Sequence, residues 1–100
     1  MKIINLIKEF GNNILTRNSV NSFFRRKIDS SKNNEIVLDF KNINFISRSC
    51  AAEYLKLREN SDKVLIERNM SDEIKSMFNL VINQLKNVNF SFKKEIQLAN

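Results

Sequence analysis

An unbroken aliphatic run, Ile36-Val37-Leu38, is closed by Asp39 and followed within ten residues by a serine that can open a helix; no other stretch constrains the fold as much. Such a run reads as a short strand covered on both faces. Ile43, Phe45 and Ile46 then bring the chain back to the core, and Ser47 or Ser49 caps a helix whose apolar arc holds Cys50, Ala51, Tyr54, Leu55 and Leu57. A capping serine satisfies an orphan backbone N–H and contributes about 1 kcal/mol over alanine. The same helix start is where an anion or an added phosphate is favoured by the positive end of the helix dipole.

The flanking segments extend this into an alternation of strands and helices. Lys2 to Phe10 fits either period. Ile3, Leu6, Ile7 and Phe10 have helical spacing, while Ile4, Leu6 and Phe10 among β-branched neighbours suit a strand. Gly11, the one glycine, makes a turn with Asn12 and Asn13. Thr16 can cap a helix in which Val20, Phe23, Phe24 and Ile28 form an inward stripe. Asp29 to Asn34 is a polar loop. Val64, Leu65 and Ile66 form another strand, and Ser71 caps a helix with Asp72 and Glu73 in its first turn, where the dipole favours them. Ile74, Met77, Phe78, Val81, Ile82 and Leu85 give that helix the best apolar stripe in the chain. Val88, Phe90, Phe92, Ile96 and Leu98 alternate with polar residues, which predicts a last strand over 88–98. It would lie on the edge of the chain's own sheet or add to a second copy as a homodimer, and the first is favoured because a long exposed apolar strand aggregates. Strand-helix alternation of this kind predicts an α/β fold with a largely parallel sheet.

The stretch LDFKNINFISRSCAAEYL resembles the signature of anti-sigma-factor antagonists (STAS domains): a strand ending in Asp, a short loop, then an apolar residue and two serines opening a helix. It is similar in more detail to the STAS-like domain family of unknown function. The upstream ILTRNSVNSFF resembles that family's preceding helix, and the likeness covers about Met1 to Leu85. The resemblance implies one STAS-like domain over 1–100, with about four strands, mixed or mostly parallel, and three helices packed against them. It also tips residues 2–10 toward strand. By the same resemblance the function is regulatory and non-catalytic, and the partner is a regulatory protein such as a histidine-kinase-like ATPase. One departure bears on mechanism. Where the antagonists read Asp-Ser-Ser-Gly, this chain reads Ser47-Arg48-Ser49-Cys50, so Arg48 stands at the phosphoacceptor position. Ser47 and Ser49 beside it are the candidate phosphoacceptors.

A hundred residues suit one domain of about 13 Å radius. No apolar run approaches the roughly 20 residues of a membrane span, and the N-terminus shows no cleavable leader, so a cytoplasmic location is expected. Cys50 alone makes no internal disulfide, and without histidine no metal site is expected; it reads as a small core residue. No cofactor is expected. The formal charge of +6 raises nucleic acid as a partner, but the cations are spread along the chain, dense only at Arg25-Arg26-Lys27 and Lys93-Lys94, and fit no recognised binding motif. Sixteen asparagines beside many lysines and isoleucines point to an A/T-rich coding bias instead.

With no histidine base, phosphate loop or nucleophile elbow, catalysis is not expected. Asp39, at a strand end where α/β sites lie, reads as an acceptor ordering its loop. Arg58 falls inside an apolar arc, where its stem would pack and its guanidinium reach water or, alternatively, a partner carboxylate. The expected working surface is the loop Asn42 to Ile46, the helix start Ser47 to Cys50, and Thr16 with Arg17. Its named contacts are Arg17, Asn44, Ile46, Ser47, Arg48 and Ser49. A basic nucleic-acid-associated protein and a small-ligand or nucleotide sensor are the competing classes.

Overall fold

The computed structural model describes residues 1–92. Along the chain run β1 (Lys2–Asn5), α1 (Leu6–Phe10), β2 (Asn13–Ile14), α2 (Arg17–Phe23) continued by a π-helical turn (Phe24–Asp29), β3 (Glu35–Asp39), β4 (Phe45–Ile46), α3 (Arg48–Asn60), β5 (Val64–Arg68) and α4 (Asp72–Asn87). The fold is α/β with parallel strands. The central sheet has the order β1-β3-β5, and a separate parallel ladder joins β2 to β4. The strand and helix counts therefore differ from expectation: among the described residues the central sheet has three strands, and there are four helices and a π-helical turn, not three helices.

Sequential parallel crossovers turn the same way, which places their helices on one face. The register shows which face. Ile4, Leu38 and Glu67 share one row and Ile36 lies beside Leu65 in the next, all of them buried. On the helical side α3 lies between α2 and α4. Phe40, Tyr54 and Phe78 meet edge to face at 5.3 to 6.1 Å in the middle of the core. The stripes of α2 and α4 are buried as their spacing predicts, with Val20, Phe23, Phe24, Ile28, Ile74, Phe78, Val81 and Leu85 all in the core cluster. The radius of gyration is 12.5 Å. Among the described residues no helix is long and apolar enough to cross a membrane.

Three local expectations are corrected. Residues 2–10 are not one strand: Leu6, Ile7 and Phe10 turn helical after Asn5, Leu6 is buried, and Gly11 ends the turn at φ 73°. Phe45 is not a core residue but 45% exposed. The part of the expected last strand that is described, Val88 to Phe92, is a helix cap. Asn89, at φ 66°, donates to the Lys86 carbonyl, and Phe90 N–H donates to the Leu85 carbonyl at 2.9 Å. These two bonds form a Schellman motif, with asparagine in the position glycine usually takes. Phe90 and Phe92 then meet edge to face at 5.0 Å and pack on the core. Ile96 and Leu98 lie outside the described residues.

Arg58 does not reach water. It is buried on α3, where Nε lies 2.7 Å from the Glu67 carboxylate and Nη2 bonds both Glu67 and the Leu65 carbonyl at 3.1 Å. The Tyr54 hydroxyl donates to the same Glu67 carboxylate. An apolar arc on α3 and an alternating strand β5 thus meet around one satisfied buried charge pair.

Candidate functional site

The short ladder between β2 and β4 organises the corner where the site was expected. Ile14 and Ile46 are paired in register and both buried, so they pin this corner from below. Asn44 N–H donates to the Asn12 carbonyl at 2.7 Å, Ser47 N–H to the Ile14 carbonyl at 2.9 Å, and the Asn12 amide to the Asn42 carbonyl at 3.0 Å. Each strand of the ladder runs directly into a helix. Thr16 caps α2 by accepting from Ser19 N–H at 3.2 Å, and Ser47 caps α3 by accepting from Cys50 N–H at 3.2 Å. Two helix starts therefore stand side by side, and the Asn21 amide ties their flanks together by donating to Glu53 at 2.9 Å.

Alternation along the ladder decides what faces outward. Phe45 is exposed beside Asn13, and Leu15, next after Ile14, is 58% exposed on the same side. Arg17 and Arg48, the first residues of the two helices, are exposed, and neither has an ion pair among the described residues. Two aliphatic or aromatic side chains flanked by two arginines make the composition enriched at protein interfaces. Of the expected contacts, Arg17, Asn44, Arg48 and Ser49 are exposed at this corner, Ser47 is half-buried as a cap, and Ile46 is buried beneath it. Leu15 and Phe45 were missed as contacts. No signal in the sequence marks them, because strands of two residues carry no period.

Comparison of the chain with family models, curated proteins and solved structures finds no match. The two serines differ in what they do. Ser47 Oγ is committed to the cap and lies 3.5 Å from the Leu15 carbonyl, whereas Ser49 is exposed with its Oγ 3.4 Å from that of Ser47. Ser47→Ala should therefore cost about 1 kcal/mol. Ser49→Ala should stay within about 0.5 kcal/mol. Urea midpoints of the two variants check the assignment of the cap.

Beside the corner lies an open cleft of about 530 Å³, lined by Phe40 to Asn44 and by Asn69, Met70 and Ser71 at the exits of β3 and β5. Asn42 and Asn69 turn the chain there at φ 66° and 63°. Asp39 fixes both exits, accepting from Lys41 N–H at 2.9 Å and the Asn69 amide at 3.0 Å, with Arg68 at 3.8 Å. This is the loop-ordering role expected of it. Burial pushes the Asp39 carboxyl up, but the bonds from Asn69 and Lys41, with Arg68 behind them, outweigh that and hold it below the ordinary 3.8. A carboxyl lowered on folding contributes stability above its unfolded pKa and loses it as pH falls through the folded one. Unfolding midpoints of the wild type should accordingly drop below about pH 4. Asp39→Asn should start lower at pH 7 and fall less over that acid range. No group of three potential metal ligands occurs among the described residues, and Cys50 is buried.

Proposed function

We propose that this chain is a STAS-like, non-catalytic regulatory module that binds a switch protein through the corner made by Leu15, Arg17, Asn44, Phe45, Arg48 and Ser49. The observation that carries the reading is the pair of adjacent helix starts presenting Arg17 and Arg48 around exposed Leu15 and Phe45. The arginines match a carboxylate-bearing surface, since a guanidinium binds carboxylate in a planar fork. The two apolar side chains supply area that becomes dry on contact. By the resemblance of the strand-loop-serine segment, the partner would be a histidine-kinase-like ATPase or another switch protein. The α/β class, the parallel sheet and the Ser47 cap support a STAS-like assignment. The three-stranded central sheet is its main departure from the expected pattern.

A phosphate on Ser49 would sit within the first turn of α3, near Arg48, and would compete with an acidic partner for the same donors. Ser47 is the poorer acceptor because its oxygen already serves Cys50 N–H. Phosphorylation here is a proposal about regulation. Mass spectrometry of the protein purified from its own cells tests it.

Arg48→Glu is expected to weaken partner binding by about thirtyfold or more, the cost of losing an interface hot spot of about 2 kcal/mol. Its melting temperature should move by no more than about 3 °C, because an exposed substitution changes stability by about 0.5 kcal/mol. Unchanged affinity in a pull-down titration would remove this corner from the interface. The same arginines could meet phosphates, so a gel shift that persists at physiological salt and is lost in Arg48→Glu would assign the surface to nucleic acid. A ligand-dependent rise in melting temperature across a nucleotide panel would assign the cleft to a small molecule.

A further inference from the structure

The cleft of about 530 Å³ lies outside the carboxyl ends of two parallel strands, β3 and β5, the side on which α/β sheets bind ligands. Its volume falls in the range of small-molecule sites, roughly 300 to 1,000 Å³. The walls are fixed before anything enters. Phe40 N–H donates to the Arg68 carbonyl at 2.8 Å, which carries the pairing one residue past β3, and Ile43 N–H donates to the Phe40 carbonyl at 3.0 Å. Asn12 braces the loop from outside through the Asn42 carbonyl, and Asp39 ties the two walls together through Lys41 N–H and the Asn69 amide. A ligand therefore has little of the protein to order on binding, a cost that loose loops would add.

The chemistry of the lining selects the ligand. Phe40, Ile43 and Met70, at most 4% exposed, form the base. Lys41, Asn42 and Asn44 form the rim; all three are exposed, and their side chains make no hydrogen bond or ion pair among the described residues. On the far wall Asn69 has spent an amide N–H on Asp39 and keeps its carbonyl, while Ser71 Oγ accepts from Ile74 N–H at 3.2 Å and keeps its hydroxyl proton to donate. Among the described residues that line the cleft, Lys41 carries the only charge. Asp39, behind the loop, is answered by Arg68 at 3.8 Å. Asp72 and Glu73, exposed just past Ser71, already answer the positive end of α4 and repel a multiply charged anion. One ammonium beside neutral amides, with two acids behind, fits a single carboxylate that carries hydroxyl or amide groups, since each asparagine amide offers a donor and an acceptor side by side. Polyphosphates do not fit it.

We propose that this cleft binds a small monocarboxylate bearing hydroxyl or amide groups, its carboxylate on Lys41 and its neutral groups on Asn42, Asn44 and Asn69. Sugar acids and amide-bearing amino acids share this chemistry, and separate probes distinguish them. The cleft meets the Leu15 and Phe45 corner at Asn44 alone, so substitutions of Lys41 and of Arg48 test the two proposals independently. The full chain is titrated with gluconate, L-glutamine, glucose and citrate at constant ionic strength and followed by amide chemical shifts.

The expected result is saturable binding of gluconate or glutamine in the millimolar range, with shifts centred on residues 40–44 and 69–71, and with glucose about fivefold weaker than gluconate, the size of one exposed ion pair. The tighter of the two carboxylates names the source. Lys41→Gln should remove the difference between gluconate and glucose, and Asn44→Ala should weaken the tighter carboxylate about fivefold. Arg25→Gln, which removes an exposed cation elsewhere, should leave it unchanged. No saturation of either carboxylate by about 50 mM, shifts centred on other elements, or an undiminished preference for gluconate in Lys41→Gln would overturn the proposal. Tighter binding of citrate, the sign of plain attraction to a chain of net charge +6, would overturn it as well.

Discussion

Arg58→Ala is expected to destabilise the chain by about 3 to 5 kcal/mol, because it leaves the Glu67 carboxylate buried without its cation. The geometry offers no substitute. Glu67 lies on the sheet face turned toward α3, and beside Tyr54 its carboxylate is held by two nitrogens of Arg58 at 2.7 and 3.1 Å. A whole domain of this size is held by only about 5 to 15 kcal/mol, so the variant should melt at least about 12 °C lower. Removing both charges is a different experiment. Arg58→Met with Glu67→Leu fills similar volume with apolar atoms and should fall far less, since a buried pair is weak evidence for net stability. Urea unfolding of the two variants separates loss of a partner from loss of the pair; equal destabilisation would contradict this.

The same triad has an alkaline signature. Burial pushes the Tyr54 hydroxyl well above its ordinary 10.0, and the neighbouring Glu67 charge pushes it further, with Arg58 opposing. A group raised on folding contributes in full below its unfolded pKa and loses that contribution as pH rises through the folded one. Stability should therefore decline above about pH 10. In Tyr54→Phe that part of the decline should disappear.

Phe78→Ala is the second large effect, at about 3 to 5 kcal/mol. Phe78 is fully buried on α4 and touches the rings of Phe40 at 6.1 Å and Tyr54 at 5.3 Å. Its loss opens a cavity where α3, α4 and the chain leaving β3 meet, and none of these backbones can close it without parting from the others. Leu80→Ala on the same helix is the control. Leu80 is 41% exposed, so its truncation should change stability by no more than about 0.5 kcal/mol.

Legibility followed the length of the pattern. α4 was plain in the sequence because four turns of stripe, a serine cap and two first-turn acids agree. β3 was plain because three consecutive aliphatics leave few alternatives. The ladder of Asn13–Ile14 with Phe45–Ile46 was not, since two residues per strand carry no period and only tertiary pairing makes them extended. The turns were hidden for another reason. With one glycine in the chain, asparagines 42, 69 and 89 take the left-handed conformation that glycine usually signals. Reading the asparagines as coding bias alone concealed the turn at Asn89, and alternation through Val88, Phe90 and Phe92 then passed for a strand. Arg58 was misplaced because its partner Glu67 lies nine residues on, across a loop, where no helical spacing predicts it.

The candidate corner was legible in its polar half. Arg17, Ser47, Arg48 and Ser49 stand at predicted helix starts, and caps are among the few tertiary features a sequence states directly. Its apolar half depended on knowing which side of the ladder faced the core. Phe45 and Ile46 were both assigned to the core, with Ile46 also named among the contacts, whereas adjacent strand residues point to opposite faces and the register found buries Ile46 and exposes Phe45.

The most direct measurement is amide hydrogen exchange on the chain with and without the proposed switch-protein partner, repeated with Arg17→Glu/Arg48→Glu. Protection appearing over residues 13–17 and 44–49 in the wild type, and absent in a variant that melts at the same temperature, is the predicted result. Equal retention of the partner by the variant, with protection confined to other segments, would contradict the assignment of this corner.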